Sequence, residues 1–532
     1  MGYIKNPILR GFNPDPSIVR VDEDYYIAVS TFEWFPGVLI YHSKDLANWN
    51  LVARPLDRVE QLDMIGVPDS GGVWAPCLSY DKGTFYLVYS NVKSFDGPWK
   101  DTPNYLVTTE DIAGEWSDPI FLSASGFDGS LFHEDSGKKW FSSMIVDHRK
   151  NKFFGGIILQ EYSEKAKALT GKVYHLTEGT SLGITEAPHI YQKDDYYYLI
   201  LAEGGTEYGH AVTMMRSKSV TGPYETHPEN PWITTSHDST HSLQKSGHAD
   251  LVETPFGGWY VVFLVGRPLT ERGRCITGRE TAIEKVVWKD GWPHLESMDK
   301  KPRSEVWFDH VESIYQGQTT VYNFAIEELS MDLQSLRVPI TNDWASLTDK
   351  KGYLRLYGRE SLTSLHRQSL LARRVAENNS RSILILDYHP KTYQQMAGLI
   401  MYYNSYHWHY LHVSANEEGK RVLQFMTCDK HEITEHLSEP ISLNDTNDVS
   451  LRADWKGDSI QCYYQHETKD WNLVGAPVDG SILSDDYVRD EKNRYRPAFT
   501  GAFVGMCCQD LTGQKLHADF RVFIYEENVL EV

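Results

Sequence analysis

One local pattern recurs five times in the first half of the chain, and it limits the available folds more than any other feature. A lead residue is followed by a short apolar strand, a tight turn and a returning aromatic strand. Asp15-Pro16-Ser17-Ile18-Val19 turns at Asp22-Glu23-Asp24 and returns as Tyr25-Tyr26-Ile27-Ala28-Val29. Trp74, Asp128, Glu186 and His248 head the other four units, so the five leads stand 59, 54, 58 and 62 positions apart. A hairpin repeated at a near-constant period marks radial repetition, each unit being one blade of a β-propeller. With each lead as the first residue of an inner strand, all five are expected near the central axis. Burying several carboxylates together is too costly to be incidental, so Asp15, Asp128 and Glu186 become the candidate catalytic set.

The chain has 532 residues, more than one core accommodates, which predicts two domains. The hairpin grammar stops near residue 300, giving an all-β, five-bladed propeller over residues 1–315. Lys300-Lys301-Pro302-Arg303 and the polar stretch near Gly317-Gln318-Thr319 read as a linker. Alternating strands such as Tyr353–Tyr357, Ser382–Leu386, Tyr406–Val413 and Ala518–Ile524 then predict a C-terminal β-sandwich over residues 325–532.

Lys and Arg number 52 against 73 Asp and Glu, a net charge of −21, which excludes nucleic acid or an anionic membrane as main partner. A small neutral substrate is expected instead. No segment approaches membrane-spanning length, and six scattered cysteines read as reduced, buried thiols, so a cytoplasmic protein is expected. A homo-oligomer is also expected.

Individual side chains carry two readings each. Phe32, in the aromatic loop Thr31–Gly37, is either core or the wall of a sugar site, and Trp74 either plugs the axis or serves as a platform. Glycines flanking Asp128 at 126 and 129 are expected to let backbone and ligand approach closely. Arg279 is either a surface ion-pair partner of Glu280 or Glu284, or an inward counter-charge and sugar fork. His248 has no second His or Cys at ligand spacing, so no protein-bound transition metal and no required cofactor are expected. A hard cation such as Ca²⁺ near the axis, with His248 in its outer sphere, stays open. His407 and His409 lie two apart in one strand and read as solvent-facing rather than as a metal pair.

Two carboxyl groups across a pocket are the minimum equipment for glycoside hydrolysis: one protonates the leaving oxygen, the other activates water or attacks. The motifs Asn13-Pro14-Asp15-Pro16-Ser17, Thr31-Phe32-Glu33-Trp34-Phe35-Pro36-Gly37-Val38, Glu186-Ala187-Pro188-His189 and Gly278-Arg279-Glu280-Thr281-Ala282 resemble the glycoside hydrolase family 43 β-xylosidases. The resemblance continues at Tyr353–Ser361 and Phe499–Met506, covering essentially the whole chain. It implies an inverting, exo-acting enzyme on short xylo-oligosaccharides, with Asp15 as base, Glu186 as acid and Asp128 tuning Glu186. It further implies that Arg279 contacts the sugar and Asp128, that His248 lies beneath the pocket floor, and that Phe503 closes the pocket to a dead end. One departure is Val146, in Ile145-Val146-Asp147-His148-Arg149, where similar members often have tryptophan. Two alternatives are a non-catalytic carbohydrate-binding propeller and an enzyme primarily directed at α-L-arabinofuranosides.

Overall fold

The computed structural model describes residues 2–149, 152–308, 317–326, 328–444, 448–467, 469–489 and 498–529. Within these the chain forms two compact units, one of residues 2–272 and 279–308, the other of residues 273–278, 317–489 and 498–529. Residue 315, the expected end of the propeller, lies outside the described residues.

The first unit is a five-bladed β-propeller. Its inner strands are Ser17–Val21, Gly72–Asp81, Ser130–His133, Glu186–Lys193 and Gln244–Glu253, and each pairs antiparallel with the next strand in sequence. Two-residue turns set the register where they occur: Val21 faces Asp24, Asp81 faces Thr84, and Lys193 faces Tyr196. The ring closes between the fifth and first blades. The Asp250 carboxylate accepts from the Ser17 hydroxyl (2.9 Å) and the Ile18 amide (2.8 Å), while the Ser17 hydroxyl accepts from the Leu78 amide (3.0 Å). Three blades are thus tied at one serine. Apolar side chains fill the wedges between blades, with Ile18, Ile27, Val29, Val262 and Ile283 sealing that junction. Each such side chain contributes about 1.5–3 kcal/mol on burial.

The lead residues do not all begin their strands. Asp15 and Asp128 precede theirs by two residues, Trp74 is the third residue of its strand and His248 the fifth; only Glu186 is first. The common feature is a kink. Asp15, Asp128 and His248 have φ of 55°, 54° and 48°, and Ala75 and Ala187, next to Trp74 and Glu186, have 23° and 51°. A left-handed residue breaks the ladder, and register shifts follow between Trp74 and Cys77, Glu186 and His189, and Gly247 and Ala249.

Short strands, Glu305–Phe308 and Thr319–Asn323, stand on either side of residues 309–316. Glu305–Phe308 pairs antiparallel with Gly2–Lys5, and Arg303 is bidentate on Glu284, so this stretch belongs to the propeller unit. Thr319–Asn323 pairs with His517–Glu527 in the second unit. Lys300–Arg303 itself carries no strand, as proline and charge suggested, and the strand that follows is held by apolar Val306 and Phe308, which bury into the propeller core.

The second unit is a β-sandwich. One sheet has Asn379–Asp387 between His517–Glu527 and Val449–Lys456, and the other has Gln395–Asn404 between His407–Ala415 and Phe503–Asp510. His407 and His409 are 0% and 1% exposed, not solvent-facing. His409 bonds Thr427 Oγ1 (2.7 Å) and the Asp479 carbonyl (3.2 Å), and His407 bonds Asn404 Oδ1 (3.1 Å). Strand alternation could not reveal this, because a strand covered on both faces buries every residue, as His407–Ala415 does. All six cysteines are free and buried. Among the described residues no helix is long and apolar enough to cross a membrane.

Candidate active site

The kinked heads of the inner strands bring the three acids into one electrostatic neighbourhood. Asp15, Asp128 and Glu186 are 4%, 8% and 8% exposed. The environment drives them apart. Burial pushes the Asp15 carboxyl up, but the Arg279 charge and the Ser30 hydroxyl outweigh it and hold the group below the ordinary carboxylate range. Arg279 Nη1 donates to Asp15 Oδ1 at 2.8 Å and Ser30 Oγ to Oδ2 at 2.7 Å. Burial and the Asp15 charge push Glu186 well above the range of an ordinary carboxylic acid, against the opposing pull of Arg279 and Lys100. Asp128 is raised as well, first by burial and then by Glu186 and Asp15, while it accepts a hydrogen bond from the Ala187 amide beside Glu186. Asp128 and Glu186 therefore titrate as a pair, and only Asp15 is readily ionised near neutrality.

Arg279, 2% exposed at the head of strand Arg279–Lys289, points inward. Glu280 and Glu284 are not its surface partners, since they pair with Arg267 and Arg303. Its hydrogen bond goes to Asp15 and its charge is also felt by Asp128, the acid the resemblance paired it with. His248 Nδ1 lies 3.6 Å from Asp15 Oδ1, and burial pushes its imidazole down to about 4, which leaves it neutral. Behind it, the His189 ring centre is 6.5 Å from that of His248, and His189 Nδ1 is 3.4 Å from Asp250 Oδ1.

The aromatic residues form a connected wall. Phe32 lies 6.2 Å from Trp74 between ring centres and stacks under the Arg279 guanidinium at 5.5 Å. Trp74 is buried, donates its indole N–H to the Ser70 carbonyl (2.9 Å), and packs edge-on against Phe127 at 5.2 Å. Phe503 belongs to the second unit, where it is buried at the head of its strand with the Arg374 guanidinium 5.4 Å from its ring centre. The glycines beside Asp128 serve packing: a Cβ at Gly126 would meet the Met144 carbonyl at 1.9 Å, and one at Gly129 the Phe141 ring at 2.6 Å.

Several participants had no signal in the sequence. Ser30 lies fifteen residues beyond Asp15 at the end of the returning strand. His210 is buried, lies within the field of Asp15, and packs so tightly that a Cβ on Gly247 would fall 1.8 Å from its ring. Glu203, fully buried, accepts from the Thr180 amide (2.8 Å) and the Thr185 hydroxyl (3.1 Å), fixing the loop that leads into Glu186. Lys100 sits close enough to Glu186 for each to shift the other; burial pushes its ammonium down to about 8.

An ionised carboxylate and a carboxylic acid kept protonated, facing one aromatic-walled site, define the equipment of a glycoside hydrolase. Its relatives narrow this class. Residues 4–293 match the model of glycosyl hydrolases family 43, and residues 321–526 match the β-xylosidase C-terminal concanavalin A-like domain. The chain belongs to glycosyl hydrolase family 43. It is 48% identical over 536 residues to a β-xylosidase of Bacillus subtilis (strain 168), covering 98% of this chain and 99% of the relative. Xylosidase/arabinosidase 43B of Humicola insolens is 46% identical, with 99% and 98% covered. The crystal structure of a xylan β-1,4-xylosidase from Bacillus halodurans C-125 superposes with a TM-score of 0.95 at 48% identity, covering 98% of this chain and all of that one.

Proposed function

We propose that this protein is an inverting, exo-acting β-D-xylosidase that releases xylose from the non-reducing ends of short xylo-oligosaccharides, with α-L-arabinofuranosidase side activity. The observation that carries the reading is the split between Asp15, held ionised by Arg279, and Glu186, held protonated by burial and by Asp15. Asp15 takes a proton from the attacking water as Glu186 gives its proton to the leaving glycosidic oxygen. Asp128, bonded to the amide next to Glu186, shares that acid's proton economy and fixes its main chain. Phe32 and Trp74 supply apolar faces for the ring bound beside Asp15. Exo action and the role of Phe503 rest on the family resemblance.

The names of the relatives support the xyloside and arabinoside assignment. Six buried free thiols support a reducing, cytoplasmic setting, and self-association belongs to the same reading, tested by sedimentation. A divalent cation such as Ca²⁺ near the axis, with His248 in its outer sphere, belongs to the same proposal and is tested by the chelator arm of the assay below.

Hydrolysis of paired aryl β-D-xyloside and aryl α-L-arabinofuranoside, with and without chelator, tests the reading. A higher kcat/KM on the xyloside is expected. A large excess for the arabinofuranoside overturns the substrate order, and no hydrolysis of either favours a carbohydrate-binding propeller.

A further inference from the structure

Two segments meet near Glu186, one between strands Thr84–Val92 and Asn104–Thr109 of the second blade and one at His148, just past strand Lys139–Val146 of the third. They meet through Trp99 and His148, whose rings stack with centres 4.0 Å apart at 24°. Trp99 remains 67% exposed, so one indole face is backed by the imidazole while much of the ring is open to solvent. An isolated exposed aromatic is ordinary, but this one is stacked on a second ring and adjoins a lysine whose charge reaches the acid. The next residue, Lys100, turns inward, donates to the Phe95 carbonyl at 2.8 Å, lies 4.2 Å from the Phe153 ring centre, and is felt by Glu186. Phe95 in turn lies 5.3 Å from Trp74 in the pocket wall. The path from Trp74 through Phe95 and Lys100 to Trp99 is continuous. Lys100 ties this path to the proton donor, whose carboxyl feels its charge.

The side of the proton donor is where the departing sugar must sit, because in the reading above Glu186 delivers its proton to the glycosidic oxygen. A pyranose carries an apolar C–H face that an indole plane can cover. Val146, half-buried at the end of its strand, offers no aromatic face of its own, whereas Trp99 does. We infer that Trp99, backed by His148, is the platform for the sugar on the leaving-group side of the scissile bond and sets the preference for a sugar as leaving group. The inference rests on the glycosidase reading.

The test compares xylobiose with β-D-xylosyl fluoride, whose leaving group has no ring. For Trp99→Ala, the ratio of kcat/KM on xylobiose to that on the fluoride is expected to fall about tenfold relative to the parent, with Trp99→Phe retaining most of it. His148→Ala is expected to lower the ratio less. An unchanged ratio overturns the inference, whether both substrates lose activity equally, through a general disturbance of the site, or neither does. A change in sedimentation of Trp99→Ala with an unchanged ratio also overturns it and assigns the ring to a contact with a second copy. A parent inactive on both substrates would instead sink the glycosidase reading, so the two failures are distinguishable.

Discussion

Replacing Arg279 by methionine removes the cation that keeps Asp15 ionised while leaving most of the side-chain volume. The hydrogen bond of 2.8 Å puts the charge centres roughly 4 Å apart, worth about 4 kcal/mol at an effective dielectric of about 20. Both partners are nearly fully buried, so solvent screens little of this. Breaking a buried pair by removing one partner costs about 3–5 kcal/mol, a large share of the 5–15 kcal/mol typical of a folded domain. The pH dependence carries the diagnosis. In the parent, the folded-state value of Asp15 lies below its unfolded value, so the pair's stabilisation is present above the unfolded value and lost as pH falls through the folded one. In Arg279→Met, burial no longer meets an opposing cation and Asp15 rises. The folded state then prefers the protonated acid, and stability falls as pH rises above the unfolded value. Urea denaturation from pH 4 to 7 should show a penalty in the variant that is small at the acid end and largest near neutrality. The acid limb of kcat/KM should move to higher pH in parallel. A penalty independent of pH, with an unmoved acid limb, would refute the claim that Arg279 governs the ionisation of Asp15.

Glu186→Gln should lower kcat on xylobiose by about 10²–10⁴, the usual worth of a general acid, and much less on β-D-xylosyl fluoride, whose leaving group needs little protonation. The same variant should gain stability at alkaline pH. A carboxyl raised to about 8 on folding stabilises below its unfolded value and loses that contribution as pH rises, a loss Gln does not suffer; thermal melts at pH 6 and 9 measure it. Asp128→Asn removes a buried carboxyl raised by burial and by the Glu186 and Asp15 charges, so the variant should lose less stability than the parent as pH rises above the ordinary carboxylate range, and parallel urea-denaturation profiles for the two proteins would refute the shift.

What could be read in advance followed from periodicity. The spacing of Asp15, Trp74, Asp128, Glu186 and His248 revealed five blades because each unit repeats the same apolar strand and polar turn, and strand alternation revealed the sandwich. That the three acids come near one another was legible for the same reason, since the heads of inner strands in a radial repeat converge. Arg279 could not be assigned, because an Arg beside Glu280 looks the same whether it faces water or Asp15, and only its 2% exposure decides. Ser30, His210 and Glu203 act across strands and blades, where no local pattern marks them. Lys100 sits among Gly97, Pro98 and Asp101 like any loop lysine, yet it is held inward by Phe95 and Phe153. The left-handed kinks were half visible, since Asp and His tolerate that conformation, whereas Ala75 and Ala187 give no such hint. The loop at residues 300–303 was legible from Pro302 and its charges, whereas the short edge strand Glu305–Phe308 beside it gives too few residues for alternation to show.

The division of labour between Asp15 as base on water and Glu186 as acid is tested most directly by the configuration of the first-formed sugar. Proton NMR during rapid hydrolysis of a β-D-xyloside should show α-xylose appearing first and mutarotating afterwards. β-Xylose appearing first would mean a carboxylate attacked the sugar itself, and the assignment of Asp15 would fall.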